Sequence, residues 1–131
     1  MSRPDSRVLN PHEWLRYARS DLAFASLDVG PGMLLETMGF HAQQAAEKAI
    51  KAVLVHASGT EPPRTHDIGY LLLQVAPSDR PDRPEDIARL TRFAVTFRYP
   101  DDIGEMEEEE RDEAVALARA AVAWAESVIG A

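Results

Sequence analysis

Arg98-Tyr99-Pro100-Asp101 brings a guanidinium, a phenol and a carboxylate together at what reads as a helix break. Such a set could hold a phosphate bidentately through Arg98 and stack a base on Tyr99. The same residues also admit a structural role, with Arg98 capping helix carbonyls or pairing with Asp101 or Asp102, and Pro100 ending the helix. A second set, Arg64-Thr65-His66-Asp67, precedes a helical pattern, where free backbone N–H groups and the positive dipole end attract anions. There Thr65 or Asp67 would serve as the cap, and His66 could instead pack on a neighbouring loop. A third set, His41, Gln44, Lys48 and Lys51, forms one polar row at helical spacing, with Gln43 and Glu47 in another. That strip could bind an anion or nucleotide; the plainer reading is a solvated face or a polar dimer surface. The candidate nucleotide and phosphate contacts are therefore Arg98, Tyr99, Gln44, Lys48 and His66.

Other chemistries find no support. A di-iron site in a bundle core needs Glu-x-x-His, and neither that spacing nor His-Glu-x-x-His occurs. The four His are scattered. Gly30-Pro31-Gly32 lacks the later Gly and the preceding strand of a phosphate-binding loop, and no Ser/His/Asp motif is present. Cysteine is absent, which excludes disulfides and thiol chemistry. The expectation is no metal and no cofactor.

The elements that must position these residues read as helices throughout. Asn10-Pro11-His12-Glu13 is a helix start, with Asn as N-cap, Pro at the first position and Glu at the third. This first helix is expected to run to about Asp28, with Trp14, Leu15, Ala18, Leu22, Ala25 and Val29 on its inner face and Arg16, Arg19 and Asp21 left for solvent or a neighbour. Gly30-Pro31-Gly32 turns the chain back. The second helix, Met33 to about Ala57, is the centre of the fold. Its Phe40, Ala42, Ala45, Ala46, Ala49, Ile50, Val53 and Leu54 form a broad apolar stripe, and so many alanines imply close approach of another helix. Gly59 is the expected C-cap. A short third helix ends at Val75, a proline-rich loop spans Pro77 to Pro84, and a fourth helix begins near Pro84 and carries Ile87, Leu90, Phe93, Ala94 and Phe97 inward. The last helix spans Met106 to Ile129, with Trp124 at its edge and Glu107-Glu108-Glu109-Glu110 as a solvated, dipole-favoured first turn. No strand-like alternation or repeat is present. The fold class is all-α, an up-and-down bundle of four long helices plus one short helix.

The 131 residues suit a single domain, 1–131, with residues 1–9 as a loose N-terminal leader. The leader has no apolar signal-peptide core, and no apolar run is long enough to span a membrane. With the absence of cysteine, this points to the cytoplasm. A net charge of -8 disfavours broad, non-specific binding to nucleic acid, though not a small local site built from Arg and Lys.

Three blocks, Phe40-His41-Ala42-Gln43-Gln44-Ala45-Ala46-Glu47-Lys48-Ala49, Arg64-Thr65-His66-Asp67 and Arg98-Tyr99-Pro100-Asp101, together resemble the HEPN domain (higher eukaryotes and prokaryotes nucleotide-binding). The helical pattern is similar from about Pro11 to Ile129. The resemblance implies a helical bundle, a homodimer, and partnership with a minimal nucleotidyltransferase as a toxin–antitoxin-like pair. It implies nucleotide or RNA as ligand. Many members are metal-independent RNases with an Arg-x(4–6)-His motif, in which His handles the proton and Arg stabilises phosphorane charge. Arg98 matches the Arg. The fifth, sixth and seventh residues after it are Ile103, Gly104 and Glu105, so the His is missing. Arg7 and His12 have the spacing but flank a helix start. The expectation is a nucleotide- or partner-binding module and not an enzyme. One alternative is an RNase toxin with a displaced catalytic His, for which His66 is the candidate. Another is an adaptor or modification target of the nucleotidyltransferase, with Tyr99 as acceptor.

Overall fold

A computed structural model of the chain describes residues 8–94 and 106–131, and within them five α-helices and two 3-10 turns account for the regular structure. Helix α1 is Pro11–Ala25, α2 Leu35–Ser58, α3 Ile68–Gln74, α4 Pro84–Ala88 and α5 Glu108–Ile129; the 3-10 turns are Pro77–Asp79 and Arg89–Phe93. The all-α class stands. The stretch read as the fourth helix is, among the described residues, one α-helical turn followed by a 3-10 turn. Its expected continuation through Phe97 to the break at Arg98-Tyr99-Pro100-Asp101 lies outside the described residues, as do Arg7 and most of the leader.

The helix ends follow from their residues. Asn10 accepts from the Glu13 backbone N–H while the Glu13 carboxylate accepts from the Asn10 N–H, a complete capping box. Gly59 adopts φ +71°, the left-handed cap that a residue with a Cβ resists. Helix α1 stops at Ala25 rather than near Asp28. There the buried Arg111 guanidinium of α5 caps the end, donating to the Leu27 carbonyl at 2.9 Å and lying 3.5 Å from that of Ala25, both acceptors that a helix end leaves open. Val29, expected on the inner face, falls outside the helix and is exposed.

Helix α2 packs on both α1 and α5. Trp14 of α1 faces Lys51 of α2, while Asp21 reaches back to His41 and Lys48, so these two helices are antiparallel. Arg19 meets Glu126 and Ser26 meets Arg119, so α1 and α5 are antiparallel as well. The N-terminal ends of α2 and α5 adjoin, with Met38 against Arg111 and Gly39 against Met106. The two therefore run parallel, and α3, α4 and the 3-10 turns carry the chain back between them. Alanines line the seams: Ala42, Ala45, Ala46 and Ala49 on α2, and Ala118, Ala121 and Ala125 on α5, are fully buried. Small side chains let the helix backbones approach closely, as the stripe on α2 predicts. Leu15, Ile50, Ile68, Leu71 and Leu90 fill the remaining space. Trp124 sits at the edge as expected, and its Nε1 donates to the Asp79 carbonyl at 2.7 Å, tying the first 3-10 turn to α5.

Candidate functional site

The polar residues of α2 form no simple solvated face. Gln43, Glu47 and Lys51 are buried, along with Asp21 of α1. This corrects the expectation of an outward polar row, and the cause is coverage from two sides. Helix α1 lays the Trp14 ring 5.7 Å from Lys51 Nζ, and the chain approaching α3 lays His66 over Glu47. Polar groups removed from water must find partners, and these do.

Glu47 is the hub. Its Oε2 accepts from Lys51 Nζ at 2.8 Å. Its Oε1 accepts from Gln43 Nε2 at 3.1 Å, Gln44 Nε2 at 3.3 Å and His66 Nδ1 at 2.8 Å. Gln43 also donates to the His66 carbonyl at 3.1 Å and accepts from Gln44 Nε2 at 2.7 Å. Burial pushes the Glu47 carboxyl up, but the hydrogen bonds from Lys51 and His66, the Lys51 charge and the Gln43 amide outweigh it and hold the group below its ordinary value. Glu47 is thus a carboxylate at neutral pH. The Glu47 side chain is only 4% exposed, whereas that of His66 is 67% exposed. The network therefore has a buried end at Lys51 and an open end at His66.

A second cluster lies towards α1. Asp21 accepts from Lys48 Nζ at 2.6 Å and pairs with His41 Nδ1 at 2.9 Å. The His41 ring stacks on Phe24, with centroids 5.4 Å apart. Close to Lys51, the Trp14 Nε1 is buried with no hydrogen-bond partner among the described residues.

The sequence candidates thus divide. Gln44 and His66 meet at one carboxylate, while Lys48 is drawn to Asp21 on the other flank. Arg98 and Tyr99 lie outside the described residues. Around His66 the local roles resolve as capping: Asp67 accepts from the Tyr70 N–H, Thr65 Oγ1 accepts from the Asp67 N–H, and the exposed Arg64 pairs with Glu61. The Ile68 N–H is taken by Thr91 Oγ1. In the acidic run, Glu107 caps α5, and Glu110, with Glu113 beyond it, pairs with Arg92 and Arg89 of the second 3-10 turn. Glu47 itself was not among the candidates. The signals for it were its place in the Phe40–Ala49 block and the four-residue spacing Gln43, Glu47, Lys51, which any exposed helix face also shows. Among the described residues no three His, Asp or Glu converge as a metal ion would need, and no helix is long and apolar enough to cross a membrane.

An all-α bundle whose central helix carries a buried glutamate hub, opened to solvent through a histidine, is the class of protein that fold and site define. The chain belongs to the HEPN domain family, whose family model matches residues 11–128. It is similar in structure to TT1696 from Thermus thermophilus, with 30% sequence identity and a TM-score of 0.71 over 90% of this chain and 97% of that chain. The comparison with curated proteins found no significant match.

Proposed function

We propose that this chain is a HEPN module that binds a nucleotide and works with a nucleotidyltransferase in a toxin–antitoxin-like pair, as a cytoplasmic homodimer. The observation that carries the binding reading is the sharing of one buried carboxylate, Glu47, by Gln44 and the exposed His66. A polar edge anchored from below is already ordered, so a ligand meets it at little cost in side-chain entropy. Arg98 and Tyr99 complete the proposed contacts, the first for phosphate and the second for the base. In support, Phe93 and Met106, on either side of the segment that carries them, both stand against Gly39, one helical turn before Gln43. Tyr17, Phe24, Leu27, Met33 and Leu34 are large apolar side chains left exposed on α1 and the turn after it, apolar surface of the kind a second copy covers.

The test is titration with ATP and GTP by calorimetry and thermal shift. Ligand at a hundredfold excess over Kd should stabilise the fold by about 2.7 kcal/mol. Arg98→Ala, Tyr99→Ala and His66→Ala should each weaken binding. No heat and no shift with either nucleotide would overturn the reading and leave an adaptor or a target of modification at Tyr99.

The Glu47–His66 pair also favours a second reading, an RNase whose displaced catalytic histidine is His66. A carboxylate-anchored imidazole is a competent proton carrier. RNA cleavage by the wild type, lost in both His66→Ala and Arg98→Ala, is its required result.

A further inference from the structure

The hydrogen-bond directions around Glu47 decide what the open end of the network offers. An ionised carboxylate only accepts, so the His66 Nδ1 facing it at 2.8 Å must carry the proton. In the neutral ring the lone pair then lies on Nε2, on the other side of an imidazole that is two-thirds exposed. Lys51 already balances the Glu47 charge from Oε2, so His66 is not needed as the counter-ion. The Gln44 amide is oriented by the same hub. Its Nε2 donates to Gln43 Oε1 and to Glu47 Oε1, which turns its amide nitrogen inward and leaves the carbonyl oxygen as its other group. Gln43 likewise spends its amide nitrogen on Glu47 and the His66 carbonyl. The amide donors of this cluster are spent inside it, and the groups left over, His66 Nε2 and Gln44 Oε1, accept.

We propose that Glu47 is a positioning residue that sets His66 Nε2 and Gln44 Oε1 as hydrogen-bond acceptors for the ribose hydroxyls of a nucleotide. Phosphate oxygens at neutral pH only accept, and two acceptors do not hold them. The donors a nucleotide presents outside its base are its 2′ and 3′ hydroxyls, adjacent on one edge of the ribose. The inference rests on the nucleotide-binding reading and adds that this end of the site reads sugar and not phosphate.

Two measurements test it. Long-range 1H–15N correlation on the 15N-labelled wild type reports the His66 tautomer without any ligand. The Nδ1–H form is expected, and a predominant Nε2–H form would overturn the proposal. In Glu47→Gln, whose amide can either donate or accept, the tautomer preference should be lost. A merely structural role for Glu47 would lower stability without that signature. Calorimetry then compares ATP with 2′,3′-dideoxy-ATP. The wild type should bind the dideoxy compound about tenfold more weakly, and Glu47→Gln should shrink that ratio towards one. Equal affinities in the wild type would overturn the ribose assignment. If neither compound binds, the nucleotide reading itself fails and the ribose assignment with it, and the tautomer alone decides whether Glu47 positions His66. Both wild-type arms stand even if Glu47→Gln does not fold.

Discussion

Glu47 and Lys51 stand one turn apart on α2 and join Oε2 to Nζ at 2.8 Å, with side chains only 4% and 9% exposed. A pair this buried is no proof of stability in itself, because desolvating two charges offsets much of their attraction. Removing one partner is another matter, since the survivor is left charged among apolar neighbours.

Lys51→Met should therefore destabilise the fold by about 3 kcal/mol, measured by urea unfolding. The double variant Glu47→Gln with Lys51→Met should recover a good part of that loss, because no uncompensated charge remains. A double variant as unstable as the sum of its two single variants would contradict the pairing, since coupled residues do not add.

Glu47 also predicts a pH dependence. Its folded-state pKa lies below the unfolded value, so its contribution is present above the ordinary Glu value of about 4.3 and is lost as pH falls through the lower folded value. The stability difference between wild type and Glu47→Gln should be flat near neutrality and shrink on acidification below that point. A difference that grows with acidification has the wrong sign and would refute the assignment.

Arg111 is expected to matter through its geometry rather than its charge alone. Its buried guanidinium binds the Leu27 carbonyl at 2.9 Å, lies 3.5 Å from that of Ala25, and bonds Asp112 at 2.9 Å. Arg111→Met keeps the apolar stem but strands those carbonyls, at a cost of about 3 kcal/mol. Hydrogen exchange should speed up at the end of α1 more than in the middle of α2.

At the other end of α1, Asn10→Ala removes the side-chain half of the capping box and should cost about 1 kcal/mol. Asn10→Gly should cost less, because Gly is tolerated at the N-cap. Urea midpoints of the two variants check the order.

Much of this architecture was legible because it rests on local chemistry. The Asn10 start, the Gly59 stop, the Asp67 cap and the alanine stripe of α2 each depend on residues within a turn or two of one another. The family blocks were legible for the same reason, as contiguous strings. The end of α1 was not, because the group that caps its carbonyls, Arg111, lies 84 residues beyond Leu27. The 3-10 turn Arg89–Phe93 was read as α-helix on pattern alone, since Ile87, Leu90 and Phe93 keep an inward side in a 3-10 turn nearly as well as in an α-helix.

By itself, then, the sequence determined that the chain is a helical bundle, where its principal helices lie, and which family it joins, because helix periodicity and capping are written in neighbouring residues. Only the tertiary structure decided that the polar arc of α2 is a buried network and not a solvated face. Periodicity groups Gln43, Glu47 and Lys51 on a side of the helix but carries no information about what covers that side. Trp14 and His66 cover it, from segments that are distant in the chain, and by excluding water they oblige Glu47 to gather its partners inward.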